Sequence, residues 1–80
     1  MRLKNTKQVD DFLRAVKAAS GTVWLISKEG DKYNLKSALS QYIAIGALLD
    51  GHGEELELFC DYKTDEALFV NFFYNNPDTI

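Results

Sequence analysis

One cysteine, one proline and one histidine are all that the 80-residue chain holds of the residues that usually mark disulfide frameworks, rigid turns and metal or acid–base sites. A lone Cys60 makes neither an intrachain disulfide nor a multi-thiolate metal site. His52, flanked by glycines and accompanied only by the carboxylates Asp50, Glu54 and Glu55, makes a weak metal constellation, and those acids repel a phosphate. Long apolar runs are missing too. The longest, Tyr42 to Leu49, falls far short of the ~20 residues needed to span a bilayer. The basic start Met1–Lys7 is not followed by an apolar stretch, so no signal-peptide layout is present. Basic residues are also in deficit, 9 Lys and Arg against 12 Asp and Glu, and a net charge of −3 gives no electrostatic reason to expect nucleic acid. A single domain over residues 1–80 is expected, soluble and cytoplasmic, with no nucleic acid, membrane, metal or cofactor as partner.

What is present is an ordinary globular balance, 46% hydrophobic and 26% charged residues. At this length folding buries roughly 60–65% of the surface the unfolded chain exposes, so the core is thin. The charge is unevenly placed. Residues 1–40 carry eight basic and four acidic side chains, and residues 41–80 carry one basic and eight acidic. Such a dipole either orients a partner during encounter or lets the two halves attract each other in the fold.

Asn5 and Thr6 are both good N-caps, and Val9, Phe12, Leu13, Val16 and Ala19 then recur on one helical stripe that Ser20-Gly21 closes. Thr22–Ser27 alternates as a strand, Val23 and Leu25 on one face, Trp24 and Ile26 on the other. Lys28-Glu29-Gly30-Asp31 reads as a hairpin loop, leading into a second strand over Lys32–Lys36. Ser37 sits as the N-cap of a short helix from Ala38 to about Ile45, whose inward stripe is expected to include Leu39, Tyr42 and Ile43. Asp50–Gly53 is a loop. Glu54–Asp61 alternates, Leu56, Leu58 and Cys60 inward, Glu55, Glu57 and Phe59 outward. Thr64 is expected to cap a final helix to about Asn75, and Pro77 stops it. With Arg2–Lys4 as a short first strand, the order predicts an α/β (α+β) open-faced sandwich, a four-stranded antiparallel sheet with three helices on one face.

Asn34-Leu35-Lys36-Ser37, followed by a short apolar helix, a glycine-containing loop and an acidic alternating strand, resembles HPr, the small phosphocarrier family of the bacterial sugar phosphotransferase system. The resemblance runs from about residue 6 to 75, but only that four-residue segment is a specific match. It implies an HPr-like fold and a protein that acts through protein partners. The family's carrier chemistry needs a His at the N-terminus of the first helix, followed two residues later by Arg and then Pro. Here Asn5, Lys7 and Gln8 stand at those positions, and an amide does not carry a transferable phosphoryl group. The resemblance therefore implies a divergent, non-catalytic relative. Ser37 matches the serine that a dedicated kinase phosphorylates in Gram-positive members, which then bind a transcriptional regulator. The competing reading of Ser37 is a simple helix cap, and the following helix holds one extra residue before Ala44-Ile45-Gly46. A structural or oligomerisation domain that kept the fold, and a carrier using another residue, are the other readings.

Cys60 is read as core. Lys4, Lys7 and Arg14 form a modest basic cluster. Aromatics are in surplus: Trp24, Ile26 and Phe59 face the open side of the expected sheet, and Leu68–Tyr74, interrupted only by Asn71, surrounds its helix axis. Trp24, Ile26, Phe59, Phe69, Phe72 and Phe73 are accordingly candidate interface residues, for a homodimer or a fixed partner.

Overall fold

Helix α1 (Thr6–Ala18) forms where the apolar stripe and the Asn5 cap predict it, and it turns Phe12 and Val16 into the core. In the computed structural model, which describes residues 1–51 and 56–80, it is followed by β1 (Val23–Ser27), β2 (Lys32–Asn34), α2 (Ala38–Leu49), β3 (Leu56–Cys60) and α3 (Glu66–Asn75). Short 3₁₀ turns at Lys63–Asp65 and Pro77–Thr79 flank α3. The three strands form one antiparallel sheet in the order β2-β1-β3. The β1–β2 hairpin turns through Gly30, whose φ of 92° is a left-handed position that favours glycine. The architecture is α+β, with an open sheet and three helices.

One face of the sheet supplies Val23, Leu25 and Leu35, which pack with Phe12, Val16, Ala44, Leu48, Phe69 and Phe72 of the helices. Phe12 is the hub, its ring 5.8 Å from Phe69 and 5.6 Å from Phe72 between centroids. Tilted and edge-on pairs at this spacing add about 0.5–1.5 kcal/mol beyond their area burial. The inward assignment of Cys60 stands: the side chain is half-buried against this core.

Several expectations are corrected. Arg2–Lys4 does not form a fourth strand, and the sheet among the described residues has three. The Arg2 N–H donates to the Thr79 carbonyl at 2.7 Å and the Leu3 N–H to the Leu48 carbonyl at 3.2 Å, while the Leu3 side chain is fully buried. Pairing with a helix-end carbonyl and burying a leucine satisfies this segment without the sheet edge. Gly21 does not close α1 in a left-handed cap. Its hydrogen leaves room for the Tyr62 ring, which a β-carbon there would meet at 2.8 Å. Nor does Thr64 cap α3: the N-cap is Asp65, itself in a 3₁₀ turn. Most consequentially, α2 runs past Ile45 to Leu49 and is turned the other way. Ala44 and Leu48 are buried, whereas Leu39, Tyr42 and Ile43 face solvent.

Candidate functional site

Three places bear on function: the N-terminus of α1, the N-terminus and outer face of α2, and the open face of the sheet. At α1 the Asn5 Oδ1 accepts the Gln8 backbone N–H at 2.9 Å, an ordinary cap. The buried Gln8 side chain accepts the Lys4 N–H at 2.8 Å and donates to Asp78 Oδ1 at 2.9 Å. Lys4 Nζ adds a looser ion pair with Asp78 at 3.8 Å. The end of α1 thus carries an engaged amide, with the chain's own carboxylate docked beside it. Lys7 and Arg14 are not a free basic cluster either, since both pair with Asp11, at 2.9 and 3.5 Å. The Lys7 hydrogen bond is the main reason the Asp11 carboxyl lies below its ordinary pKa. An open groove of about 570 Å³ between α1 and α3 passes these residues and Asn71 and Asn75, and its two cations share the one Asp11 carboxylate.

The segment Asn34–Ser37 has a structural job for three of its four residues. Asn34 Oδ1 accepts the Lys36 N–H at 2.9 Å, an Asx turn, and Leu35 is fully buried. Lys36 Nζ donates to the Val16 and Ala19 carbonyls at 2.7 and 2.8 Å, so it closes the C-terminus of α1, where a cation is favoured. Ser37 is the N-cap of α2, as expected, yet its side chain makes no cap hydrogen bond and the residue is exposed. The hydroxyl stands at a helix start whose first-turn amides have no intrahelical acceptor. Next to it begins the outer face of α2, where Leu39, Tyr42, Ile43 and Leu49 are all exposed.

On the open sheet face the register sets Asn34, Trp24 and Phe59 abreast, with Lys32, Ile26 and Glu57 in the next row. Trp24 and Ile26 are half-buried, Phe59 is exposed, and the Trp24 Nε1–H donates to Asp61 Oδ1 at 2.9 Å. Phe69 and Phe72 do not belong to any surface: both lie in the core, and Phe73 is half-buried against Phe72 at 5.4 Å. The solvent side of α3 is Val70 and Tyr74 instead. Of the six expected interface residues only Phe59 is exposed, and the largest group of exposed apolar side chains among the described residues lies instead on α2, whose stripe was expected to face inward. His52, with Glu54 and Glu55, lies outside the described residues. Among the described residues no group of His, Cys, Asp or Glu is placed to hold a metal, and no helix is long and apolar enough to cross a membrane.

No protein-family model matches the chain, and neither a curated protein nor a solved structure does. The resemblance to HPr thus rests on the Asn34–Ser37 segment and the order of elements.

One further residue, Asp65, escaped the sequence reading. The buried carboxylate of Asp65 accepts the Ser20 and Gly21 N–H groups at 3.0 and 2.9 Å, tying the α1–β1 turn to the start of α3. Those two bonds, with the Lys36 charge as a smaller contribution, hold its pKa below the usual carboxylate value. Burial, followed by the nearby charges of Asp65, Glu66 and Asp61, pushes the Cys60 thiol up, which favours the thiol over the thiolate.

Proposed function

We propose that this chain is a non-catalytic, HPr-like protein-binding module connected with the phosphoenolpyruvate-dependent sugar phosphotransferase system, acting in the cytoplasm, with Ser37 as its phosphorylation switch. Its partners in this reading are an HPr serine kinase and a transcriptional regulator. The observation that carries the reading is the Ser37 hydroxyl: exposed, without a cap hydrogen bond, and set at the start of a helix whose outer face is apolar. A phosphate there is favoured by the first-turn amides and the helix dipole, and it changes the charge beside a surface suited to proteins. The carrier role of the family has no support at α1, where Asn5 serves as cap and Asp78 sits against Gln8 and Lys4. Incubation with an HPr serine kinase and ATP, read by intact mass, tests the switch. One acid-stable adduct of about 80 Da that Ser37→Ala abolishes is expected. No adduct under conditions that fully modify an HPr control removes the switch from the account.

A second reading, a structural or oligomerisation domain with an inherited fold, is favoured by the uncharged outer face of α2 itself.

A further inference from the structure

Helix α2 reads ALSQYIAIGALL, and from Ser37 to Leu49 it contains no Lys, Arg, Asp or Glu. Its inner side is settled: Ala44 and Leu48 are buried, and the Gln41 side chain donates to the Leu35 carbonyl at 3.0 Å. At 100° per residue, Leu39, Tyr42, Ile43, Gly46 and Leu49 fall on the opposite side. The exposures are 71% for Leu39, 81% for Tyr42, 49% for Ile43 and 41% for Leu49. We infer that this face is the contact of a two-fold symmetric homodimer in which the α2 helices of two copies pack antiparallel.

Three observations name a second copy as the occupant. The first is area. The four side chains expose on the order of 500 Å² on one copy, so a symmetric pair that covers them fully removes about 1,000 Å² from water, the lower limit for a specific interface. The second is charge. The chain carries −3 overall, yet this face brings no like charges together when it meets itself. An antiparallel pair also opposes the two helix dipoles, so the N-terminal end of each α2 lies beside the C-terminal end of the other, where Asp50 is the C-cap. The third is Gly46. A glycine within a helix is unfavourable relative to alanine, and among the described residues no close neighbour calls for it. A β-carbon at Gly46 would meet no atom within 4 Å, and its φ is not positive. In an antiparallel pair centred near Ala44, Tyr42 of one copy lies opposite Gly46 of the other, and Leu39 opposite Leu49. The missing side chain is then the recess that takes the most exposed ring of the face.

The open sheet face fits self-association less well, because Glu57 and Asp61 flank Trp24 and Phe59 and the Trp24 indole N–H is already bonded to Asp61. The inference concerns the unmodified chain, because in this pairing a phosphate on Ser37 would stand near Asp50 of the other copy and oppose the contact.

Sedimentation velocity over a concentration series tests it, with the wild type, Tyr42→Glu, Gly46→Ala and Trp24→Lys. An interface of this size predicts a reversible equilibrium between the 9.1 kDa chain and a species of twice that mass, with dissociation in roughly the micromolar range. Tyr42→Glu is expected to leave only monomer with an unchanged far-ultraviolet circular dichroism spectrum, since the ring is exposed. Gly46→Ala is expected to weaken the dimer about tenfold or more while raising the melting temperature of the dilute monomer, as a better helix former. That opposite pair of effects separates an interface from a folding defect. A wild type that stays monomeric at the highest concentration overturns the proposal. So does a dimer that survives Tyr42→Glu, and so does one that only Trp24→Lys dissolves.

Discussion

Asp65 shows how much of this fold hangs on single polar groups. Its carboxylate closes the turn after α1 by accepting two backbone N–H bonds, and those bonds lower its pKa. A group whose folded pKa is depressed adds stability that is complete above the unfolded value, near 3.9, and is lost as pH falls through the folded one. The melting temperature of the wild type is therefore expected to exceed that of Asp65→Ala at pH 7, with the gap narrowing as a titration is carried below about pH 4. A gap independent of pH would mean that packing, not the charge, sets the effect. Asn5 gives the second residue-scale prediction. Asn5→His places an imidazole at the position where the proposed HPr likeness would have one, in a helix end where Gln8, Lys4 and Asp78 are already engaged with one another. Incubated with Enzyme I and phosphoenolpyruvate, Asn5→His is expected to show no acid-labile adduct by mass spectrometry and to lose about 1 kcal/mol with its cap. An adduct would show the end of α1 to be open to carrier chemistry.

Elements were legible where their sequence separates polar from apolar positions. In α1 acids and bases alternate with the Val9–Val16 stripe, so the helix and its buried face both follow from spacing. In β1 the alternation sends Val23 and Leu25 inward without ambiguity. Helix α2 has no charged residue to mark an outside, so periodicity identifies a helix and leaves its rotation open. Only the tertiary contacts, Leu48 beside Leu3 and Gln41 reaching Leu35, decide that Ala44 and Leu48 point in. The same reason explains α3, where Phe69 and Phe72 took the core while Val70 and Tyr74 took the surface. Arg2–Lys4 was read as a short strand, but its partners are the Leu48 carbonyl at a helix end and the Thr79 carbonyl in the last turn, not a sheet edge. Within the Asn34–Ser37 segment, spacing correctly gave Ser37 as the N-cap position and said nothing of Lys36 as the clamp on α1. Lys36→Met is expected to lower the unfolding free energy by about 1–3 kcal/mol in urea denaturation, because two helix-end carbonyls lose a charged donor. A change near zero would indicate that water replaces the ammonium group at no cost.

At the scale of the whole molecule the margin is narrow. A chain of this length holds about 4–12 kcal/mol against unfolding at typical values per residue. Phe12→Ala removes the ring that joins α1 to Phe69 and Phe72 and is expected to cost about 3–5 kcal/mol, leaving the variant mostly unfolded or close to it by circular dichroism at 37 °C. Among the described residues the opposed charges of the two halves meet in few places. Among the described residues one ion pair, Lys4 with Asp78, joins residues 1–40 to residues 41–80, while Lys7 and Arg14 pair within the first half. Stability comes from the apolar seam between sheet and helices, and the uncharged outside of α2 is left for association. A ¹H–¹⁵N correlation spectrum followed on dilution tests that claim most directly. The account predicts concentration-dependent shifts confined to amides of Leu39–Leu49 and their immediate neighbours. Shifts centred on the Trp24 indole and Phe59, or no shifts at any concentration, would contradict it.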